Sequence, residues 1–238
     1  MINAAASLKS PPSESVGAPS ETAAAISAPE LAALLTARVC HDLINPAGAM
    51  TSGLDLLEDP SAQDMRADAM SLIAASARKL TAQLSFARVA FGASASAQTF
   101  ASENLRKLAQ GVFDDVRPTL DWAVETPAVN KAAGRVMLNL AQIGATALPT
   151  GGVAKLTAVP GGGDLLIALE AEGARARLRP EVAAGLKGER SAEGGPGHWV
   201  QAYYLHALLR EAGGKLAFAA GEGKVVVRVR VPLDLAAV

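Results

Sequence analysis

Two long stretches of the chain place apolar residues at helical spacing, and they set its organisation. Leu31, Leu35, Val39, Leu43, Met50, Leu54 and Leu57 recur at intervals of three, four or seven, which makes one apolar stripe on a long amphipathic helix. The helix is predicted to open near Pro29 and Glu30, where proline suits a first turn and an acid faces the positive end of the dipole. Pro46 lies inside it and removes a backbone donor, so a local kink is expected. Glu58-Asp59-Pro60 ends it. A second helix is expected to start from Ser61, capped with the help of Asp64 three residues on. Its stripe is Met65, Ala69, Leu72, Ile73, Ser76, Leu80 and Leu84, and it runs to about Ala90. At 1.5 Å per residue each arm is roughly 40 Å long. Two such helices alone do not enclose both stripes. Pairing two hairpins about a two-fold axis gives a four-helix bundle that does, so a homodimer is predicted. The alternative is a hairpin packed on its own C-terminal domain.

The flanks read differently. Residues 1–28 are rich in Ala, Ser, Pro and Glu without apolar periodicity, and are expected to form a disordered tail. After about Ala97 the periods alternate. Residues 105–116 read as a helix, 120–124 as a strand, and 131–148 as a helix ended by Pro149 and Gly151-Gly152. Residues 153–159 and 164–170 alternate as strands around Gly161-Gly162-Gly163. Residues 196–212 form a helix stopped by Gly213-Gly214, and 215–219 with 224–231 a closing hairpin. The predicted fold is mainly α, then α+β: a tail (1–28), a helical hairpin (29–92) and an α/β sandwich with mostly antiparallel strands (98–238).

Composition narrows the classes. Of 238 residues 50% are hydrophobic but only 4% aromatic, so the core must be built from Ala, Leu, Val and Ile, which suits close helix packing. A net charge of -1 gives no global basic field, and nucleic acid is not an expected partner. The single cysteine, Cys40, allows no intramolecular disulfide and fits a reducing compartment. No apolar run approaches the ~20 residues of a membrane span, and no basic-then-apolar leader opens the chain. A cytoplasmic protein without a membrane partner is expected. Cys40 is read as a small packing residue, and His198 and His206 as structural. Trp199, Tyr203 and Tyr204 are expected to pack the last helix against the sheet.

Candidate chemistry centres on His41-Asp42-Leu43-Ile44-Asn45-Pro46. At about 100° per residue, His41 is rotated about 200° and Asn45 about 240° from Val39, while Leu43 stays within about 40° of the stripe. His41 and Asn45 therefore lie one turn apart on a face away from the core. An exposed imidazole is what phosphoryl transfer needs, since an aspartyl phosphate on another protein must reach it in line. A neutral histidine attacks through one nitrogen when an acceptor holds the other protonated, and Asp42 is the nearest candidate acceptor. Arg175, Arg177 and Arg179 alternate with small or apolar residues; if extended, all three point one way. They read either as a basic row that docks the acidic pocket of a receiver domain or as a solvated loop. Gly48 and Gly53 allow a close helix approach or reflect tight bundle packing. Leu54 and Leu57 belong to the core or to a docking surface.

The six-residue run resembles the H-box of the dimerisation and phosphotransfer domain of sensor histidine kinases, where an acid follows the histidine and Thr or Asn, then Pro, follows one turn later. The resemblance implies His41 as phosphoacceptor, Asp42 as the residue that activates or orients it, and Asn45 as a polar group positioning phosphate or water. The C-terminal half resembles the histidine kinase ATPase domain, of the GHKL fold, with its nucleotide residues lost. Asn139-Leu140-Ala141-Gln142-Ile143-Gly144-Ala145 resembles the N-box, with Ile143 in place of the Mg-binding asparagine. Ala171-Glu172-Gly173-Ala174-Arg175 stands where an Asp-x-Gly-x-Gly motif belongs, and the glycines at 194, 195 and 197 resemble the last glycine box. Little room is left for a nucleotide lid.

An intact phosphotransfer helix with a degraded ATPase domain resembles the ChpT family of alphaproteobacterial histidine phosphotransferases. So do Ser52-Gly53-Leu54-Asp55-Leu56-Leu57-Glu58-Asp59-Pro60, Arg88-Val89-Ala90-Phe91-Gly92 and Arg175-Ala176-Arg177-Leu178-Arg179-Pro180. The family implies a homodimer that takes phosphate from the receiver of a CckA-type hybrid kinase. It passes phosphate to CtrA-type and CpdR-type response regulators in cell-cycle control. No bound cofactor and no ATP are expected; the Mg²⁺ of the reaction is expected at the partner receiver. An ATP-using histidine kinase and a non-catalytic scaffold are the alternatives.

Overall fold

The structure is a computed structural model and describes residues 26–92, 99–191, 197 and 199–233. Most of the predicted tail, and His198 with most of the last glycine box, lie outside these residues. Helix α1 (Ala28–Glu58) opens where Ser27 Oγ accepts the Glu30 backbone N–H at 3.3 Å, with Pro29 in its first turn, and it continues through Pro46. The expected Ser61 cap of the second arm is not made. Asp59 takes that hydroxyl instead: its carboxylate accepts the Ser61 N–H at 2.8 Å and the Ser61 O–H at 2.7 Å. The chain makes one 3-10 turn over Gln63–Met65, and α2 (Arg66–Ala90) starts after it.

The second part opens with β1 (Thr99–Ala101), α3 (Ser102–Phe113), β2 (Thr119–Val124), β3 (Ala128–Asn130) and α4 (Lys131–Ala147). It continues with β4 (Val153–Gly161), β5 (Asp164–Glu172), α5 (Pro180–Lys187), α6 (Trp199–Glu211), β6 (Lys215–Gly221) and β7 (Lys224–Pro232). The main sheet has the order β2-β4-β5-β7-β6; only β2–β4 is parallel. β1 and β3 pair antiparallel beside it, and neither was predicted, nor was α5. Gly162 and Gly163, at φ +62° and +84°, make the β4–β5 turn that a side chain would strain. Leu140 and Val136 of α4, Leu156 of β4, Leu169 of β5 and Val227 of β7 are fully buried between helices and sheet.

The hairpin is fastened to this domain at both ends. Phe86 and Ala90, at the end of α2, are buried in the main core. At the start of α1, Ile26, Leu31, Leu34 and Leu35 pack on Trp199, Val200 and Tyr203 of α6. Tyr203 Oη accepts the Ile26 N–H at 3.1 Å, and Arg190 pairs with Glu30 at 2.9 Å. This corrects the expected role of the α6 aromatics. Leu205, Leu208 and Leu209 serve the main core, which leaves Trp199 and Tyr203 on the opposite side to receive α1; the Tyr204 ring stands edge-on to Phe91, 5.5 Å away. Between α1 and α2 the approach is close at Gly53, where a Cβ would lie 2.6 Å from Ile73 Cγ1. Of the predicted stripes, Ala69 and Ser76 are buried, while Leu54, Met65, Leu72 and Leu84 stay open to solvent in the single chain.

Candidate functional site

The face of α1 that meets α6 continues along the helix. Leu31, Leu34 and Leu35 pack on the aromatic cluster; Arg38 follows at the next helical step and Asp42 one turn later. His41 sits one residue, about 100°, off that line. Its side chain is 79% exposed, against 34% for Asp42 and 5% for Arg38. Asn45, one turn beyond His41, is exposed as well. Helix phase thus turns the imidazole outward from a helix whose other face is held by the α+β domain.

His41 Nδ1 lies 3.5 Å from Asp42 Oδ1, the outer limit of a hydrogen bond. The second carboxylate oxygen, Oδ2, is 3.6 Å from Arg38 Nη2, an (i, i+4) ion pair. Arg38 Nη1 donates to the backbone carbonyl of Gly197, ahead of α6. Burial lowers the Arg38 pKa from its ordinary value, and the Asp42 charge opposes that shift. Sequence reading missed Arg38. The (i, i+4) spacing to Asp42 was a local signal; the partner 159 residues away was not.

Beside Asp42 a cleft of about 580 Å³ opens between the hairpin and the α+β domain. Arg38, Asp42, Lys79, Asp115, Arg117 and Arg179 are its charged lining residues, so basic side chains outnumber acidic ones, with Lys79 paired to Asp115 at 3.8 Å. Of the three predicted arginines only Arg179 reaches it; Arg179 lies 3.9 Å from Glu181 Oε1 at the start of α5. Arg175 and Arg177 are exposed. The expected straight row is not formed, because the chain turns at Ala174 and Arg175 directly after β5. Cys40 is exposed too, contrary to its expected packing role: two residues after Arg38, it is rotated about 200° from the α6-facing side. His206 is structural as expected, with Nδ1 donating to the Leu186 carbonyl at 3.1 Å.

The residues that resemble nucleotide motifs serve the interior. Asn139 is fully buried and donates to the carbonyls of Arg135 at 2.8 Å and Ala90 at 3.4 Å. Gln201 Nε2 donates to Asn139 Oδ1 at 3.2 Å and to Gln142 Oε1 at 2.6 Å, which ties α4 to α6. Ile143 is in the core. Between β5 and α6 the chain forms α5, packed so closely on α6 that a Cβ at Gly185 would lie 2.5 Å from the Trp199 carbonyl oxygen. Among the described residues, no group of three or more His, Cys, Asp or Glu side chains could hold a metal ion.

Similarity to known proteins puts the chain among protein phosphotransferases of the histidine class. Residues 102–224 match the family described as the histidine phosphotransferase C-terminal domain. The chain is 35% identical over 202 residues to the protein phosphotransferase ChpT of Brucella abortus (strain 2308), covering 84% of this chain and 95% of that one. A solved bacterial phosphotransferase superposes with a TM-score of 0.77 at 32% identity, over 87% of this chain and 98% of that one. The chain belongs to the histidine phosphotransferase family. A histidine kinase domain from Erythrobacter litoralis EL346 aligns distantly, at a TM-score of 0.45 and 13% identity over 80% of this chain and 94% of that one.

Proposed function

We propose that the protein is a phosphorelay intermediate. It takes a phosphoryl group from the receiver domain of a CckA-type hybrid histidine kinase onto His41 and passes it to CtrA-type and CpdR-type response regulators in cell-cycle control. The observation that carries this reading is the His41 imidazole, 79% exposed, with Nδ1 turned to Asp42 Oδ1. With its proton held on Nδ1 by Asp42, the ring attacks through Nε2. The acyl phosphate O–P bond of the receiver breaks, the N–P bond forms, and the receiver recovers its carboxylate. The ring gains positive charge as the bond forms, and the Asp42 carboxylate at Nδ1 offsets it. Asn45, on the same exposed face, is the polar group for phosphate or water in the reverse step. The basic rim of the cleft, with Arg175 and Arg177 beyond Arg179, suits an acidic receiver pocket.

In this reading the protein works in the cytoplasm as a homodimer, the uncovered hairpin stripes meeting in a four-helix bundle. Exposed Ile44, Leu54, Met70, Leu72 and Leu84 support the pairing. No helix among the described residues is long and apolar enough to cross a membrane. ATP is not used: Ile143 lies in the core and offers no metal ligand. The Mg²⁺ of the transfer belongs to the receiver. The test is phosphotransfer profiling with one phosphorylated donor receiver and a panel of acceptors. His41→Ala should abolish all transfer while light scattering still reports a dimer. Transfer by His41→Ala, or labelling of the wild type by ATP and Mg²⁺ alone, would overturn the proposal.

A further inference from the structure

The structure assigns Arg38 as the positioning residue of the phosphotransfer centre: it ties Asp42, and through Asp42 the His41 imidazole, to the α+β domain. The inference rests on the proposed role of His41 and goes beyond it, because it gives the degraded domain a part in the chemistry.

Arg38 is 5% exposed on an arm that otherwise carries its charges in water. Burying a guanidinium is unfavourable unless it is paired, and packing alone is served as well by an apolar side chain of the same volume. The pairing is incomplete as a structural device: Nε has no hydrogen-bond partner among the described residues. What Arg38 does hold is specific. One terminal nitrogen donates to the Gly197 carbonyl, and the other meets Asp42 Oδ2 at 3.6 Å. The α1 backbone just before it is immobilised by Leu31, Leu34 and Leu35 on α6. Guanidinium and carboxylate are thus fixed from the same domain.

The consequence falls on His41. A helical aspartate free in solvent samples more than one χ1 rotamer, and in only part of that range does Oδ1 face Nδ1 of the neighbouring imidazole. Arg38 engages Oδ2 and leaves Oδ1 toward His41, so one carboxylate is divided between a fixed cation and the attacking ring. That selects the Nδ1–H tautomer and aims Nε2 outward. A misplacement of about 1 Å in such an arrangement lowers rates on the order of 10²-fold.

The test uses the full chain with Arg38→Met, Arg38→Lys and Arg38→Met combined with Asp42→Asn. Single-turnover transfer from a phosphorylated receiver should slow at least about tenfold in Arg38→Met at saturating receiver, with the half-saturating receiver concentration unchanged. Arg38→Lys should recover part of the rate, since an ammonium reaches Asp42 but does not bridge to Gly197 at the same time. Imidazole ¹⁵N shifts, assigned to His41 by comparison with His41→Ala, should show the Nδ1–H tautomer in the wild type and a mixture in Arg38→Met. On the Asp42→Asn background Arg38→Met should add no further loss. Wild-type rates and shifts in Arg38→Met, independent losses in the double variant, or a rate loss that only tracks unfolded protein would each overturn the inference. If His41→Ala itself transfers phosphate, the proposed function fails instead, and the two outcomes are separable.

Discussion

Gly48 and Gly53 lie in the same helix, and the same substitution should act on them with opposite sign. At Gly48 an added Cβ meets nothing within 4 Å. There Gly→Ala removes unfolded-state freedom at no steric cost and should stabilise by about 0.5–1 kcal/mol, roughly 1–4 °C in Tm for a chain of this size. At Gly53 the Cβ would stand 2.6 Å from Ile73 Cγ1 and 3.2 Å from the Ala69 carbonyl oxygen. Carbon contacts normally close at about 3.5–4.0 Å, so the overlap with Ile73 is on the order of 1 Å. Ile73 is β-branched and has one strongly preferred rotamer in a helix, and Ala69 offers backbone rather than a movable side chain. Relief must come from separating α1 and α2. Overpacking of this kind costs about 1–3 kcal/mol, which exceeds the propensity gain. Gly53→Ala should therefore destabilise by about 0.5–2 kcal/mol net. Urea and thermal unfolding of the two variants side by side measure this. A stabilised Gly53→Ala would refute the close α1–α2 contact. A destabilised Gly48→Ala would show that another helix stands against Gly48.

Three further outcomes follow from the packing and charges. Phe86, 3% exposed at the end of α2, should cost about 3–5 kcal/mol when changed to Ala, read as a lower urea midpoint for the whole chain. Asn130 caps α4 by accepting the Ala133 N–H at 2.9 Å and donates to the Pro232 carbonyl at 2.9 Å. Asn130→Ala should lose about 1–3 kcal/mol, and Asn130→Asp, which keeps the acceptor alone, should fall between the two. Lys224 donates to Glu172 and holds that carboxyl below its ordinary 4.5. A carboxylate whose pKa is lower folded than unfolded contributes stability above about pH 4.5 that is lost as pH falls through the folded value. Lys224→Met should thus lower Tm slightly at neutral pH and leave the acid end unchanged, which flattens the acid side of a Tm-against-pH curve by a small amount, since the pair is exposed.

What the sequence disclosed follows the range of its signals. The two arms, α4, and the β4–β5 and β6–β7 hairpins carry many repeats of period 3.6 or 2 with glycine or proline at their ends, and their extents are close to those predicted. β1 and β3 are three residues each, too short for any period to register; they exist because Phe100 and Val129 pair over the core. The second arm opens late because Asp59 and Ser61 satisfy each other before either can cap it. The exposure of His41 and Asn45, with Asp42 beside His41, is legible because the three are neighbours on one helix. Arg38 was not, because its meaning depends on Gly197 and on the α6 cluster, contacts made only after folding. The α6 aromatics were misread for the same reason: a helix buried on two sides gives no single apolar face from which to choose.

A phosphate carrier meets two opposed demands. The imidazole must be open to a partner as large as a receiver domain, and it must be held well enough for in-line attack. A histidine in a loop is open but mobile; one in a core is held but closed. Here the conflict is settled by the 100° between successive residues of α1. Arg38 and Asp42 share the side of α1 that packs on Trp199 and Tyr203, while His41, one residue round from Asp42, stands open on the same rigid helix. The clamp needs a folded domain behind it but no nucleotide, and Asn139, Gln142 and Gln201 show polar groups of that domain committed to holding α4 against α6. The α+β domain thus supplies the wall against which α1 is braced.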